Sequence, residues 1–148
     1  MGRLDLVKWL IREGAGASVN YACNYGHTPL IEASVRGDID IVKELMAAGA
    51  GASINHYSLE DGDTALHAAI KNNHSEIAKT LIAAGAAVDA CAGIPPLMDA
   101  IDDQNFEMIN LLIASGASVN HVDGSGRSVL MYACDTCDHR MVKMLIEE

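Results

Sequence analysis

Apolar residues recur along this chain in a helical rhythm. Four segments carry it: Ile41, Val42, Leu45 and Met46; Ile77, Ala78, Leu81 and Ile82; Met108, Ile109, Leu112 and Ile113; Met141, Val142, Leu145 and Ile146. A spacing of i, i+1, i+4, i+5 puts all four side chains on one helical face, which predicts a buried face and not a cofactor box. An earlier helix is predicted before each of these. It opens at Thr28, Thr64 or Ser128, whose hydroxyl can accept a hydrogen bond from a first-turn amide, with Pro29 preorganising the next position. Pro95 holds that place in the third copy and cannot cap. Small residues on this first helix, namely Ala33 and Ser34, Ala69, Ala100, and Ala133 with Cys134, allow close approach to a neighbour.

The boundaries of the second helix are equally legible. Asp38, Asn105 and Asp138 stand where a side-chain oxygen caps a helix start, and Gly49, Gly85 and Gly116 where a left-handed residue ends one. Gly37 marks the tight turn between the helices, and its counterparts are Asn73, Gln104 and Cys137. Positive φ suits Asn and strains Gln and Cys. With Pro95, Gln104 and a short connection at 89 to 93, the third copy is expected to be the weak point.

The copies are internal repeats. "GHTPLIEAS" (26 to 34), "GDTALHAAI" (62 to 70), "GIPPLMDAI" (93 to 101) and "GRSVLMYAC" (126 to 134) step by 36, 31 and 33 residues from Thr28 to Thr64, Pro95 and Ser128. "REGAGASVN", "AAGAGASIN", "AAGAAVD" and "ASGASVN" interleave with them. The pattern resembles the ankyrin repeat family, built from helix-turn-helix repeats of 33 residues. The resemblance implies an all-α helical solenoid of stacked helix-turn-helix repeats with hairpin-like finger loops, a single array over 1–148. Its units are a partial repeat holding only a second helix (1–20), repeats at 21–55, 56–89 and 90–120, and a terminal repeat at 121–148. Trp9, Leu6 and Leu10 then lack a first helix to cover them. The expectation is a segment of a longer array, or ends that associate with one another.

Composition narrows the function. Half of the 148 residues are apolar, yet there is one Trp, one Phe and four Tyr, an economy that suits close helix stacking. Twenty acidic against ten basic side chains give a formal charge of −10. Such a surface repels phosphate backbones and anionic membranes, so no nucleic-acid partner is expected, and a protein partner of basic character is. "MGRLDLVKWLIREG" has charges inside its apolar stretch and no signal-peptide core. No run approaches a membrane span, so no direct membrane insertion and an intracellular, cytoplasmic location are expected.

Catalytic motifs are absent by spacing, no cofactor is implied, and the chain is read as a non-enzyme. His67 holds the family's "TPLH" position, where the resemblance implies a ring bonded between neighbouring repeats. "CDTCDH" could lend Cys134, Cys137 and His139 to zinc, but it lacks the second CxxC pair that makes such a site specific. Two rows of residues vary between copies without being needed by the repeat. The resemblance implies that they line a concave contact surface formed by finger tips and by the ends of the first helices. The partner-binding candidates on and beside them are Tyr25, His27, Arg36, Tyr57, Glu60, Asp61, Asp63, Lys71, Asn72, Asp99, Asp102, Asp103, Arg127 and Asp135. Tyr25, Tyr57 and Arg36 are the expected anchors, with Asp99, Asp102 and Asp103 selecting charge. Finger packing is the competing role for the tyrosines, and plain solvation for the aspartates.

Overall fold

The computed structural model describes residues 3–14, 18–136 and 138–147. Among them nine α-helices follow one another: α1 Arg3–Arg12, α2 Pro29–Arg36, α3 Ile39–Ala47, α4 Ala65–Lys71, α5 Ser75–Ala83, α6 Pro96–Asp102, α7 Phe106–Ala114, α8 Val129–Asp135 and α9 His139–Glu147. A short 3-10 turn, Ala50–Ser53, follows α3. The fingers hold only isolated bridges, Tyr57 to Thr64 and Val122 to Ser128. The first helices stack in one layer, α2 on α4, α4 on α6 and α6 on α8; α1, α3, α5 and α7 stack in a second.

Local chemistry sets the helix starts as expected. Thr28 Oγ1 accepts from the Ile31 amide at 3.2 Å, Thr64 Oγ1 from His67 at 3.3 Å, and Ser128 Oγ from Met131 at 3.3 Å, while Pro95 makes no such bond. Asn105 Oδ1 caps α7 from the Met108 amide at 3.0 Å, and Asp138 Oδ1 accepts from the Arg140 amide at 2.9 Å. Asp38 departs from the expected pattern. It makes no side-chain cap and instead pairs with Arg3 at 3.0 Å, because a guanidinium within reach competes with an amide for the carboxylate.

The helix-to-helix turn is left-handed at Gly37 (φ 77°), Asn73 (φ 58°) and Gln104 (φ 53°), so Gln104 carries the strain its side chain implies. Cys137 lies outside the described residues.

One continuous core runs the length of the stack. Leu30, Leu66, Leu97 and Val129 from the first helices meet Val42, Ile77, Ile109 and Met141 from the second. Ala69, Ala100 and Ala133 are fully buried where helices touch, as their size requires. Cys134 is an exception to the small, buried residue expected there: it is exposed, because no helix covers the outer face of α8. At the base of the stack, Asn55 Oδ1 accepts from Ala87 N at 2.8 Å and the Asp89 carboxylate from Ser118 N at 3.1 Å, tying each repeat to the next. Asn105 Nδ2 donates to Asn73 Oδ1 at 2.7 Å between the turns.

Candidate functional site

Finger loops and the ends of α2, α4, α6 and α8 bring many of the candidate residues to one face. Fingers are linked in sequence by backbone bonds, Leu59 N to Tyr25 O at 2.8 Å and Ala92 N to Gly62 O at 3.4 Å. This ladder holds the tips in fixed register. It needs Gly26, because a Cβ there would sit 2.7 Å from the Leu59 nitrogen.

Tyr25 is 67% exposed and Tyr57 48%, the latter ring stacked on His56 with centroids 6.2 Å apart. Leu59, 73% exposed beside them, is a residue that sequence reasoning missed. Its signal was available: an apolar side chain in the one extra residue of the 55 to 62 connection has no core to serve. Tyr21, also well exposed, was missed for the same reason. Glu60 is exposed on the same finger as Leu59.

Several candidates are already paired within the chain. Arg36 Nε donates to Glu32 Oε1 at 2.6 Å, with His27 Nδ1 3.9 Å from the other oxygen. Lys71 Nζ lies 2.8 Å from both Asp63 oxygens and 3.7 Å from Asp99 Oδ2. Burial works against the Lys71 charge, but the Asp63 hydrogen bond and the surrounding aspartates raise its pKa above the ordinary value. Partial burial pushes Asp61 up, yet hydrogen bonds from the Ser58 hydroxyl and the Asp63 amide leave it below the usual carboxylate range. Asn72 Nδ2 donates back to Ala68 O at 2.8 Å. Arg127 pairs with Asp135 and lies over the Tyr132 ring, 4.2 Å from its centroid.

The three groove aspartates part company. Asp102 and Asp103 are exposed at the end of α6, whereas the Asp99 side chain is 14% exposed. Burial raises the Asp99 carboxyl to about 6, only partly offset by Lys71 and reinforced by Asp63, Asp103 and Asp102. Asp99 therefore shapes the field of the groove from beneath, while Asp102 and Asp103 meet solvent.

His67 does hold the stack together. It is fully buried, Nε2 donates to the Ile94 carbonyl of the next finger at 2.9 Å, and Nδ1 accepts from the Thr64 hydroxyl at 3.2 Å. A carbonyl only accepts, which fixes the proton on Nε2. Burial lowers the pKa and keeps the ring neutral.

Comparison with known proteins accords with this geometry. A family profile of ankyrin repeats, three copies in each match, fits residues 1–58, 30–123 and 88–148. The chain belongs to the ankyrin repeat family. Among curated ankyrin-type relatives, a B-cell lymphoma 3 protein homolog of Mus musculus is 37% identical over 47% of this chain and 16% of its own length. A glycerophosphocholine phosphodiesterase, gde1, of Schizosaccharomyces pombe is 40% identical over 48% of this chain and 6% of its own. An interferon antagonist, OPG040, of vaccinia virus is 29% identical over 59% of this chain and 31% of its own. The chain thus spans a third or less of each of these relatives. Ankyrin repeats generally serve as protein-interaction modules and are typically non-enzymatic.

No group of three or more His, Cys, Asp or Glu among the described residues is placed to hold a metal. Cys134 is exposed on α8, and the proposed co-ligand Cys137 lies outside the described residues. Among the described residues no helix is long and apolar enough to cross a membrane.

Proposed function

We propose that this ankyrin array is a non-enzymatic, intracellular binding module that grips a basic segment of a protein partner across its fingers and groove. The observation that carries the reading is a pairing on one rigid face: Tyr25, Tyr57 and Leu59 exposed on hydrogen-bonded fingers, beside Asp102 and Asp103. Large side chains on an ordered scaffold bind with little loss of conformational freedom, which is where interface energy concentrates. The acidic row supplies attraction for Lys and Arg and rejects acidic competitors. Arg36 and Lys71, each tied to a carboxylate, set the edges of the groove.

Affinity capture from cytoplasmic extract tests this, comparing the native chain with Asp102→Lys/Asp103→Lys after circular dichroism confirms that both remain helical. Asp99 is left intact, because a lysine beside Lys71 in that buried site would disturb the fold. Partners lost by the double variant, and recovered by the native chain less well as salt rises, support the groove reading. Identical partners on both would remove the acidic row from recognition.

A further inference from the structure

The N-terminal end of the stack holds an open slot. Leu6 and Leu10 of α1 are 46% and 43% exposed, whereas their counterparts Ile77 with Leu81 and Met108 with Leu112 are at most 2% exposed. Between α1, α2 and α3 lies a cavity of about 280 Å³ floored by Leu6, Val7, Pro29, Ala33, Ile41 and Leu45. Three equivalent slots exist in the same molecule, and each is filled by one helix. α2 packs on α3 and α4, α4 on α5 and α6, and α6 on α7 and α8.

We propose that the slot binds a short amphipathic helix of a partner protein, in which a leucine is followed three residues later by alanine. The chemistry of the occupant is written in the three native ones. They read Pro-Leu-Ile-Glu-Ala, Ala-Leu-His-Ala-Ala and Pro-Leu-Met-Asp-Ala, with Leu30, Leu66 and Leu97 buried and Ala33, Ala69 and Ala100 at the closest approach. A second copy of the chain cannot donate such a helix, because α2, α4, α6 and α8 each already pack on their own following helix.

Charge separates this site from the groove. Residues 1 to 47 carry five basic and six acidic side chains, while 48 to 148 carry five and fourteen. The Arg3–Asp38 and Arg36–Glu32 pairs at the mouth are internally neutral. A neutral or acidic helix, repelled by the groove, meets no such barrier here. The mode is a helix laid into a groove, distinct from the finger contact proposed above.

The chain's single tryptophan, Trp9, is 51% exposed on α1 and reports on this end alone. The probe is a synthetic peptide of residues 62–73, GDTALHAAIKNN, held helical by a hydrocarbon staple and checked by circular dichroism, because so short a helix is otherwise unfolded. Titrated into the intact chain, it should give a saturable blue shift of Trp9 emission. Leu6→Arg, at a half-exposed position, should weaken binding about ten- to hundredfold, the measure of one lost leucine contact. Asp102→Lys/Asp103→Lys should bind the peptide as the native chain does, which separates failure of this site from failure of the groove. The proposal is overturned by an absent shift, by an equal shift with Leu6→Arg, or by a peptide carrying Leu66→Asp that binds as well. An emission shift that grows with protein concentration alone would assign the slot to self-association. Emission already shifted and unresponsive in protein purified from its source cells would assign it to a preceding segment of a longer polypeptide.

Discussion

Replacing Asp99 by Asn isolates the energetic cost of placing a carboxylate beneath the groove. Burial raises this carboxyl from 3.8 to about 6, against the pull of Lys71 3.7 Å away. The folded state therefore holds the proton more tightly than the unfolded chain. Stability from this group is full below the unfolded value near 4, falls as pH rises through about 6, and is constant above it. A shift of this size corresponds to about 3 kcal/mol lost above pH 6. Asparagine keeps the shape and has no charge to desolvate, but it surrenders the attraction to Lys71, which retains Asp63 at 2.8 Å. The net expectation is a variant about 1–2 kcal/mol more stable than native at pH 7.5 and close to native at pH 4.5. Urea unfolding of both proteins from pH 4 to 8 reads the difference directly, and the difference cancels the titration of every other group. A gap that does not change with pH, or a less stable variant at pH 7.5, would show that the carboxylate is not held at a cost.

Three further expectations follow from single contacts. Gln104→Gly, at φ 53°, should raise stability by about 0.5–1 kcal/mol in thermal unfolding, since glycine relieves the left-handed strain but loses some freedom on folding; an unchanged melting temperature would mean that the turn is unstrained. His67→Ala should cost about 2–4 kcal/mol by stranding the Ile94 carbonyl and leaving a cavity, and the native chain should lose stability as pH falls below 6.5 while the variant loses less. The sign follows from a folded pKa lowered below the unfolded one, so protonation favours unfolding. Gly26→Ala should break the Leu59 to Tyr25 bond and weaken partner capture more than it lowers helicity, measured by pull-down beside circular dichroism.

Much of this architecture was legible because each repeat must bury the same positions. The paired apolar residues at i, i+1, i+4, i+5, the hydroxyl caps at Thr28, Thr64 and Ser128, and the left-handed residues after each second helix are local necessities that any copy reveals. Gln104 was readable for the same reason. What escaped was set by neighbours in space. Asp38 has the sequence of a cap, and only the position of Arg3 on another helix turns its carboxylate away. Asp99 looks like its neighbours Asp102 and Asp103 in the chain, yet its place on the inner turn of α6 buries it against α4. Cys134 occupies a small-residue position, but exposure depends on whether a further helix follows α8. Leu59 was missed because a finger of unusual length has no counterpart to be compared with. Whether an exposed tyrosine meets a partner is likewise a property of two molecules, which one chain encodes only as an exposed aromatic on a rigid loop.

The central claim is that the finger and groove face holds the partner. Hydrogen exchange of the chain, free and bound to the partner captured through Asp102 and Asp103, tests it most directly. Slower exchange confined to the fingers carrying Tyr25, Tyr57 and Leu59 and to the ends of α4 and α6 is the expected footprint. Protection confined to the solvent faces of α3, α5 and α7, with the fingers unchanged, would contradict it.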